Sequence, residues 1–157
     1  METLIESLLS IFALDNSYLE IVILSLYVSV IATIVSAFFS IILASHIASS
    51  QFFGKDTITI IINTLMSIPP VVVGLILYII FSASGILGFM DILYSPIIMM
   101  IAQFIIVTPI ILSLSLKALT DEYINLRDYL CSLKTSSKKI RGTIIYESRF
   151  SLLVIII

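Results

Sequence analysis

Long apolar stretches separated by short charged segments dominate the pattern of this chain. Acidic and basic residues are absent from positions 21–54, 57–90 and 92–116. Each gap exceeds the roughly 20 apolar residues that a helix needs to cross a bilayer. The pattern therefore predicts three membrane spans, which we place at 21–47, 57–81 and 92–116. All three should be helices, because lipid offers the backbone N–H and C=O groups no other partner.

The same pattern divides the rest of the chain. Apolar residues recur at helical spacing before the first span, which predicts an amphipathic helix over 1–18 at the outer interface; a frayed terminus fits equally well. Residues 117–149 form a polar loop, and 150–157 are apolar but too short to cross, so we expect them to begin a fourth span. Without repeats or flexible linkers, residues 1–157 are interpreted as one all-α transmembrane domain.

The composition supports a membrane location, and the positions of the charged residues indicate how the chain is oriented in the membrane. Hydrophobic residues make up 60% of the chain, against roughly 45–50% in soluble domains, and charged residues only 11%. All eight basic residues lie in the first loop or after the third span. By the positive-inside rule, those two regions face the cytoplasm and the N-terminus lies outside. We expect a multi-pass protein of the inner (cytoplasmic) membrane.

The second span contains residues that disrupt a straight helix. Pro69 and Pro70 remove two donors from the helical ladder, and Gly74 follows one turn later. A kink or an opening is expected there, and unwound backbone inside a membrane is tolerated where it lines a cavity or packs on protein. Pro69, Pro70 and Gly74 are predicted to line a translocation pathway, with a kink needed only for packing as the alternative. Gln103 joins them, although a buried amide often just hydrogen-bonds a neighbouring helix.

Small residues recur at every fourth position of the first span. The stripe consists of Ala32, Ser36, Ser40, Ala44 and Ala48. Small residues let two helix backbones approach closely. We favour packing within the chain over a subunit-dimer or pore face.

The polar loop is predicted to hold two short amphipathic helices. Thr120 can cap the first, whose apolar face carries Tyr123, Leu126, Leu130 and Leu133. The run Thr135-Ser136-Ser137 interrupts that face and can cap a second helix, which carries Ile140 and Ile144. The two helices would protrude as a knuckle on the cytoplasmic side. A basic segment bound to anionic lipid is the alternative.

The sequence gives little support for catalysis or metal binding. One His and one Cys, with no Asp or Glu inside the spans, cannot supply a metal site or an acid–base pair, so an enzyme is not expected. A phosphate-binding loop of the GxxxxGK[ST] kind is missing, since Gly54-Lys55 is followed by Asp56. Ion-coupled carriers usually keep ionisable groups inside the bilayer. The energy for transport is therefore expected from another subunit.

The cytoplasmic loop resembles the coupling loop of ATP-binding-cassette (ABC) importer permeases. Their pattern is Glu-Ala-Ala, three residues, Gly, nine residues, then Ile-x-Leu-Pro. In this register Asp128 takes the acidic position, Lys134 the glycine and Ile144 the isoleucine, while Tyr146-Glu147 replace Leu-Pro. The resemblance implies an ATPase-coupling set made of Asp128, Tyr129, Leu130, Leu133, Lys134, Ser136 and Ile144.

A wider resemblance concerns the membrane segments. The runs NTLMSIPPVVVGL (63–75) and SGILGF (84–89) are similar to the tungstate and molybdate permease branch, which residues 102–103 and 147–149 also suit. This implies a type I ABC importer fold, a homodimer, and an extracytoplasmic binding protein that delivers tungstate or molybdate. It further implies two cytoplasmic ATPase subunits, which hold the ATP and Mg²⁺, and no cofactor on this chain.

Other interpretations remain open at this point. Permeases of the resembled family continue after the loop, so a fragment, a broken gene or a partial record is expected. A secondary transporter or channel fragment would work without an ATPase. An ABC permease for another substrate, or a membrane scaffold that moves no solute, would share the same composition.

Overall fold

A computed structural model describes residues 16–50, 52–132 and 137–157, with side chains for 18–50, 52–126 and 139–157. The helices are α1 (Asn16–Ser49), α2 (Lys55–Leu65), α3 (Pro70–Phe81), α4 (Pro96–Ser132), α5 (Ser137–Glu147) and α6 (Arg149–Ile156), with a 3-10 turn at Gly88–Met90. The described part of the chain contains no strand, in agreement with the all-α prediction. The predicted helix over 1–18 lies almost wholly outside the described residues.

Within the described residues, two helices are long and apolar enough to cross a membrane by themselves. These are the segments Tyr18–Ser49 of α1 and Pro96–Leu126 of α4. Helices α2 and α3 meet the same requirement only together, and they are bent by 86° at the break between them. Large apolar side chains such as Ile23, Ile34 and Phe38 are exposed along α1, as a lipid-facing surface requires. The chain is therefore a helical membrane protein.

The break between α2 and α3 lies where the two prolines predicted it. Pro69 is extended, at φ −62° and ψ 132°, because a residue that precedes proline avoids the helical region. Pro70 is the first residue of α3, where a missing N–H costs nothing. The N–H of Ser67 donates to the carbonyl of Thr64 at 3.0 Å, which tightens the end of α2. The prolines thus begin a new helix and do not merely kink one.

The small-residue stripe of α1 packs against α4. Ser36, Ser40, Ala44 and Ala48 are all 0% exposed. The Ser40 hydroxyl donates a 3.0 Å hydrogen bond to the carbonyl oxygen of Thr108 on α4. Such a bond requires the close approach of two backbones that small residues allow. The preference for packing within the chain is confirmed.

Helices α1 and α4 run parallel. Ser29 shares a groove with Gln103. Farther along both helices, Ala48 belongs to the same apolar cluster as Leu119, and the Ser40 bond lies between these two contacts. Residue numbers therefore rise together on the two helices, so both helices point the same way.

Helices α2 and α3 meet successively earlier parts of α4. The Ser113 hydroxyl of α4 donates a 2.6 Å hydrogen bond to the side-chain oxygen of Asn63 on α2. Gly74 on α3 lies beside Ala102 of α4. As the numbers rise from α2 to α3, the α4 partners fall. The α4 partners of the broken pair therefore shift from the middle of α4 towards its beginning.

Helix α4 continues through the point where a new helix was predicted. It is unbroken from Pro96 to Ser132, so the predicted N-cap at Thr120 is wrong. The apolar face formed by Leu112, Leu116 and Leu119 stays buried as the helix leaves the span. No Gly or Pro follows Pro109 within the helix, and the buried face therefore keeps the chain helical. The third span and the first loop helix are one element.

The second loop helix is present as α5, which begins at Ser137, the last residue of the polar run that predicted it. Its last residue, Glu147, is separated from α6 by Ser148 alone. Helix α6 covers the segment expected to begin a fourth span. Both helices contact α4 and α1.

The outer turn after α3 depends on a close approach at glycine. The N–H of Leu87 donates to the carbonyl of Ile80 at 2.9 Å, and that of Gly85 donates to the carbonyl of Ser82 at 2.7 Å. A Cβ atom on Gly85 would collide with the carbonyl oxygens of Ile79 and Ile80. Only glycine allows the turn to fold back over the end of α3.

Many of the buried apolar residues fall into two separate clusters. The inner cluster joins α1, α2, α4, α5 and α6, and its members are Ala44, Ile47, Ala48, Ile62, Leu112, Leu116, Leu119, Ile144 and Leu152. The outer cluster joins α3 to the first turns of α4, and its members are Val73, Leu77, Phe81 and Ile98. The break at 66–69 lies between them, so α3 packs apart from α5 and α6.

Candidate functional site

A cleft of about 390 Å³ lies between the broken span and α4. Met66, Pro70 and Val73 form one wall, and residues 104–112 contribute the other. Pro109 lies in that second wall; because proline has no N–H, it leaves the carbonyl of residue 105 without its helical partner. Two helices with proline-weakened backbones thus face each other at one depth. Such a place can open or close with little loss of regular hydrogen bonding.

The lining of this cleft is almost entirely apolar. Thr108 is its one hydroxyl-bearing side chain among the described residues, and that hydroxyl donates to the carbonyl of Phe104 at 2.6 Å. The hydroxyl oxygens of Thr108 and Ser36 lie 3.2 Å apart. The polar groups at this level are therefore used for holding α1 and α4 together.

The predicted pathway residues lie in three different places. Pro70 lines the cleft, with Pro69 in the adjoining break. Gly74 lines a neighbouring cleft of about 410 Å³, and no atom lies within 4 Å of where its Cβ would be. Gln103 faces a groove of about 710 Å³ between α1 and α4, beside Ser25 and Ser29. The structure brings the two prolines together and separates Gln103 from them.

The hydrogen bond between Asn63 and Ser113 was not foreseen from the sequence. It links the α2 part of the broken span to α4. The available signal was a pair of polar side chains, each within about two turns of the end of a predicted span that was expected to face the same side. Polar side chains in spans commonly hydrogen-bond across helices.

A polar cleft of about 330 Å³ lies between the first turns of α2 and residues 113–121 of α4. It is lined by charged and polar side chains, among them Lys55, Asp56, Lys117 and Asp121. Lys55 Nζ donates to the carbonyl oxygens of Ala48 at 3.0 Å and Ser50 at 3.3 Å. A cation at these carbonyls stabilises the end of α1. Lys55 therefore fixes the turn that leads into the broken span.

The predicted coupling set is only partly described. Leu133, Lys134 and Ser136 lie outside the described residues, and Asp128, Tyr129 and Leu130 are placed only as the helical backbone of α4. Ile144 is fully placed and is 1% exposed, inside the inner cluster. In this arrangement its side chain contacts the membrane helices and is unavailable to a partner protein.

The junction of α5 and α6 presents a cationic and aromatic surface. The Arg149 guanidinium lies 4.1 Å from the ring centre of Tyr146 and 4.9 Å from that of Phe150. All three side chains are exposed. Aromatic and basic side chains at the end of an apolar helix are typical of a membrane–water interface. Within the described ranges, no group of three or more His, Cys, Asp or Glu side chains could hold a metal ion.

Three curated relatives are similar to this chain. A probable anion ABC transporter permease protein of Haloferax volcanii is 34% identical over 140 residues, which is 88% of this chain and 60% of the relative. The tungstate uptake system permease protein TupB of Peptoclostridium acidaminophilum is 41% identical over 101 residues, 64% of this chain and 44% of that protein. TupB of Campylobacter jejuni is 35% identical over 108 residues, 68% of this chain and 44% of that protein.

The chain spans about half the length of these curated relatives. No protein-family model matches it, and no solved structure matches it.

Proposed function

Because this chain belongs with the permease subunits of anion ABC transporters, we propose that it forms the membrane passage of an importer for tungstate. The observation that carries the proposal is the 34% identity over 88% of this chain, together with two tungstate permeases among its relatives. Molybdate is the oxyanion closest to tungstate in charge and shape, and it is the alternative cargo. The chain supplies passage without catalysis.

The proposal requires that the described chain crosses the membrane three times. Helices α1 and α4 run parallel, and both are long enough to span. Between two parallel spans the chain must return to the side from which it started. The bent pair α2–α3 is the only described segment available for that return, and its contacts on α4 move from Ser113 back to the first turns of α4 as the chain proceeds. It is therefore a broken span and not a re-entrant loop.

The direction of the crossings follows from the basic residues. Lys55 lies at the turn between α1 and α2, and Lys117 lies where α4 leaves the membrane. The turn between α3 and α4 carries no Lys or Arg. The positive-inside rule then places the N-terminus outside and the α4–α5 region in the cytoplasm of an inner-membrane protein.

The break within the second span suits the passage of an anion. The N-terminus of α3 lies at Pro70, beside the cleft and opposite the middle of α4. A helix N-terminus carries partial positive charge, and discontinuous helices present such ends to anionic substrates in other transporters. The described spans hold no acidic side chain there that would repel an oxyanion. Unwound backbone next to a cleft also fits the requirement that irregular backbone in a membrane lines a cavity or meets protein.

The driving force is assigned to partners. Two cytoplasmic ATPase subunits would bind the α4–α5 region and hydrolyse ATP with Mg²⁺, and an extracytoplasmic protein would deliver the oxyanion. A second copy of the permease would complete the passage, because one chain leaves its clefts open along one side. The coupling residues predicted in 128–136, together with Ile144, belong to the region that would receive the ATPase.

Uptake in cells tests the proposal. Radiolabelled tungstate is supplied to cells lacking the permease gene and to cells with the gene restored, in both cases with and without ATP depletion. Restored uptake that stops on ATP depletion is expected, together with recovery of an ATPase when the tagged permease is purified. Uptake that continues without ATP would indicate a secondary transporter. Unchanged tungstate uptake on loss of the gene would remove the oxyanion assignment.

A further inference from the structure

We propose that Ile144 is the joint through which the cytoplasmic helix α5 moves the first and third spans, a positioning role that rests on the importer function proposed above. Its side chain is 1% exposed and lies within the inner cluster. Helix α5 also carries Ile140 and Ile145, which are half-buried and pack against the same cluster. Among the described side chains of α5, Ile144 is the one that is fully buried, and it is therefore the central anchor of this helix.

The socket for this side chain comes from both parallel spans. Ala44 and Ala48 of α1 are 0% exposed, and so is Leu119 of α4. The same α1 stripe that meets α4 near Ser40 therefore provides, at its cytoplasmic end, the small side chains beside which a branched one fits. Closely packed interiors transmit displacement because they have little empty space. A shift of α5 must then carry α1 and α4 with it.

The broken span is attached differently. Helix α2 contributes a single residue, Ile62, to the inner cluster, and α3 contributes none. The buried residues of α3 pack in the outer cluster with Ile98. A displacement that starts at Ile144 reaches α3 only through α4 or through the 66–69 break. Helices α1, α4, α5 and α6 therefore move as one body, and α3 changes its angle to them at the break.

Size changes on the two sides of the joint test this role. Purified complex, with its ATPase and binding protein, is placed in lipid vesicles, and tungstate uptake and ATP hydrolysis are measured together. Ile144→Ala and Ala48→Leu are each expected to lower tungstate moved per ATP by about ten-fold while ATP hydrolysis continues. Ile144→Val should keep the wild-type ratio. The matched control is Leu43→Ala, which removes a similar volume from an exposed position on the same turn of α1 as Ala44.

The double variant Ile144→Ala with Ala48→Leu gives the sharpest outcome. The two changes together roughly conserve the volume of the socket. The double variant is therefore expected to move more tungstate per ATP than either single variant. A wild-type ratio in both single variants would overturn the joint while leaving the importer intact. A fall in membrane abundance with an unchanged ratio would show a purely structural role and overturn it as well. Absence of ATP-driven uptake by the wild-type complex would instead refute the importer, and the joint with it.

Discussion

Ser113 of α4 donates a 2.6 Å hydrogen bond to the side-chain oxygen of Asn63, and this bond ties the broken span to its neighbour on the α2 side of the break. The contact matters because α2 otherwise buries only Ile62. A helix with so little buried apolar surface depends more than others on a polar link.

Removal of this link should loosen α2. Asn63→Ala is expected to lower the free energy of unfolding by about 0.6 kcal/mol and by at most about 1.7 kcal/mol, the range for hydrogen bonds between membrane helices. Ser113→Ala should cost a similar amount, and the double variant no more than either single one, because both remove the same bond. Thermal unfolding in detergent measures these losses in the free energy of unfolding. Thr64→Ala is the control, since the Thr64 hydroxyl bonds only to Ile60 of its own helix; additive losses at 63 and 113 would contradict the assignment.

Two glycines should respond in opposite ways to alanine. Gly85→Ala forces a Cβ atom against the carbonyl oxygens of Ile79 and Ile80, and it should lower the free energy of unfolding by about 1 to 3 kcal/mol. Gly142→Ala meets no atom within 4 Å inside α5 and should raise that free energy by about 0.5 to 1 kcal/mol. Unfolding monitored by circular dichroism separates the two. Equal effects would show that the outer turn is looser than the structure has it.

The paired prolines should be needed for transport more than for insertion. The variant Pro69→Ala with Pro70→Ala restores two backbone donors and allows one continuous helix, which would remove the 86° bend. Normal abundance in the membrane is expected, with tungstate uptake lowered at least about ten-fold, because the passage loses its unwound wall. Uptake assays with quantified membrane protein measure both. Pro96→Ala is the matched control, since Pro96 begins α4 and interrupts no helix; wild-type uptake by the double proline variant would exclude the break from the pathway.

The sequence predicted those features that depend on local backbone chemistry or on long-range composition. Pro69 and Pro70 located the break because proline lacks an N–H wherever it stands. The stripe of small residues that ends at Ala48 predicted close helix packing, because small side chains on one face let two helix backbones approach. The N-cap predicted at Thr120 was wrong. Capping is only a local preference, whereas the buried face through Leu119 keeps the helix continuous.

Partners across the structure could not be read from spacing alone. Ile144 was assigned to a docking surface by its place in a motif, and only the packing of four other helices shows that its side chain is buried. The separation of Gln103 from the prolines likewise depends on which side of α4 each neighbour occupies. Which residues become neighbours depends on three-dimensional packing, and the spacing of residues along the sequence does not determine it.

The proposed three-span topology requires the broken pair α2–α3 to cross the membrane between two parallel spans. Single cysteines placed at Ser50 and Ser84, in a chain whose Cys131 is replaced by Ser, test this crossing with a membrane-impermeant thiol reagent applied to intact cells. Ser84→Cys should be labelled from outside, and Ser50→Cys only after the membrane is opened. Labelling of both positions from the same side would make the pair a re-entrant loop and contradict the three-span account.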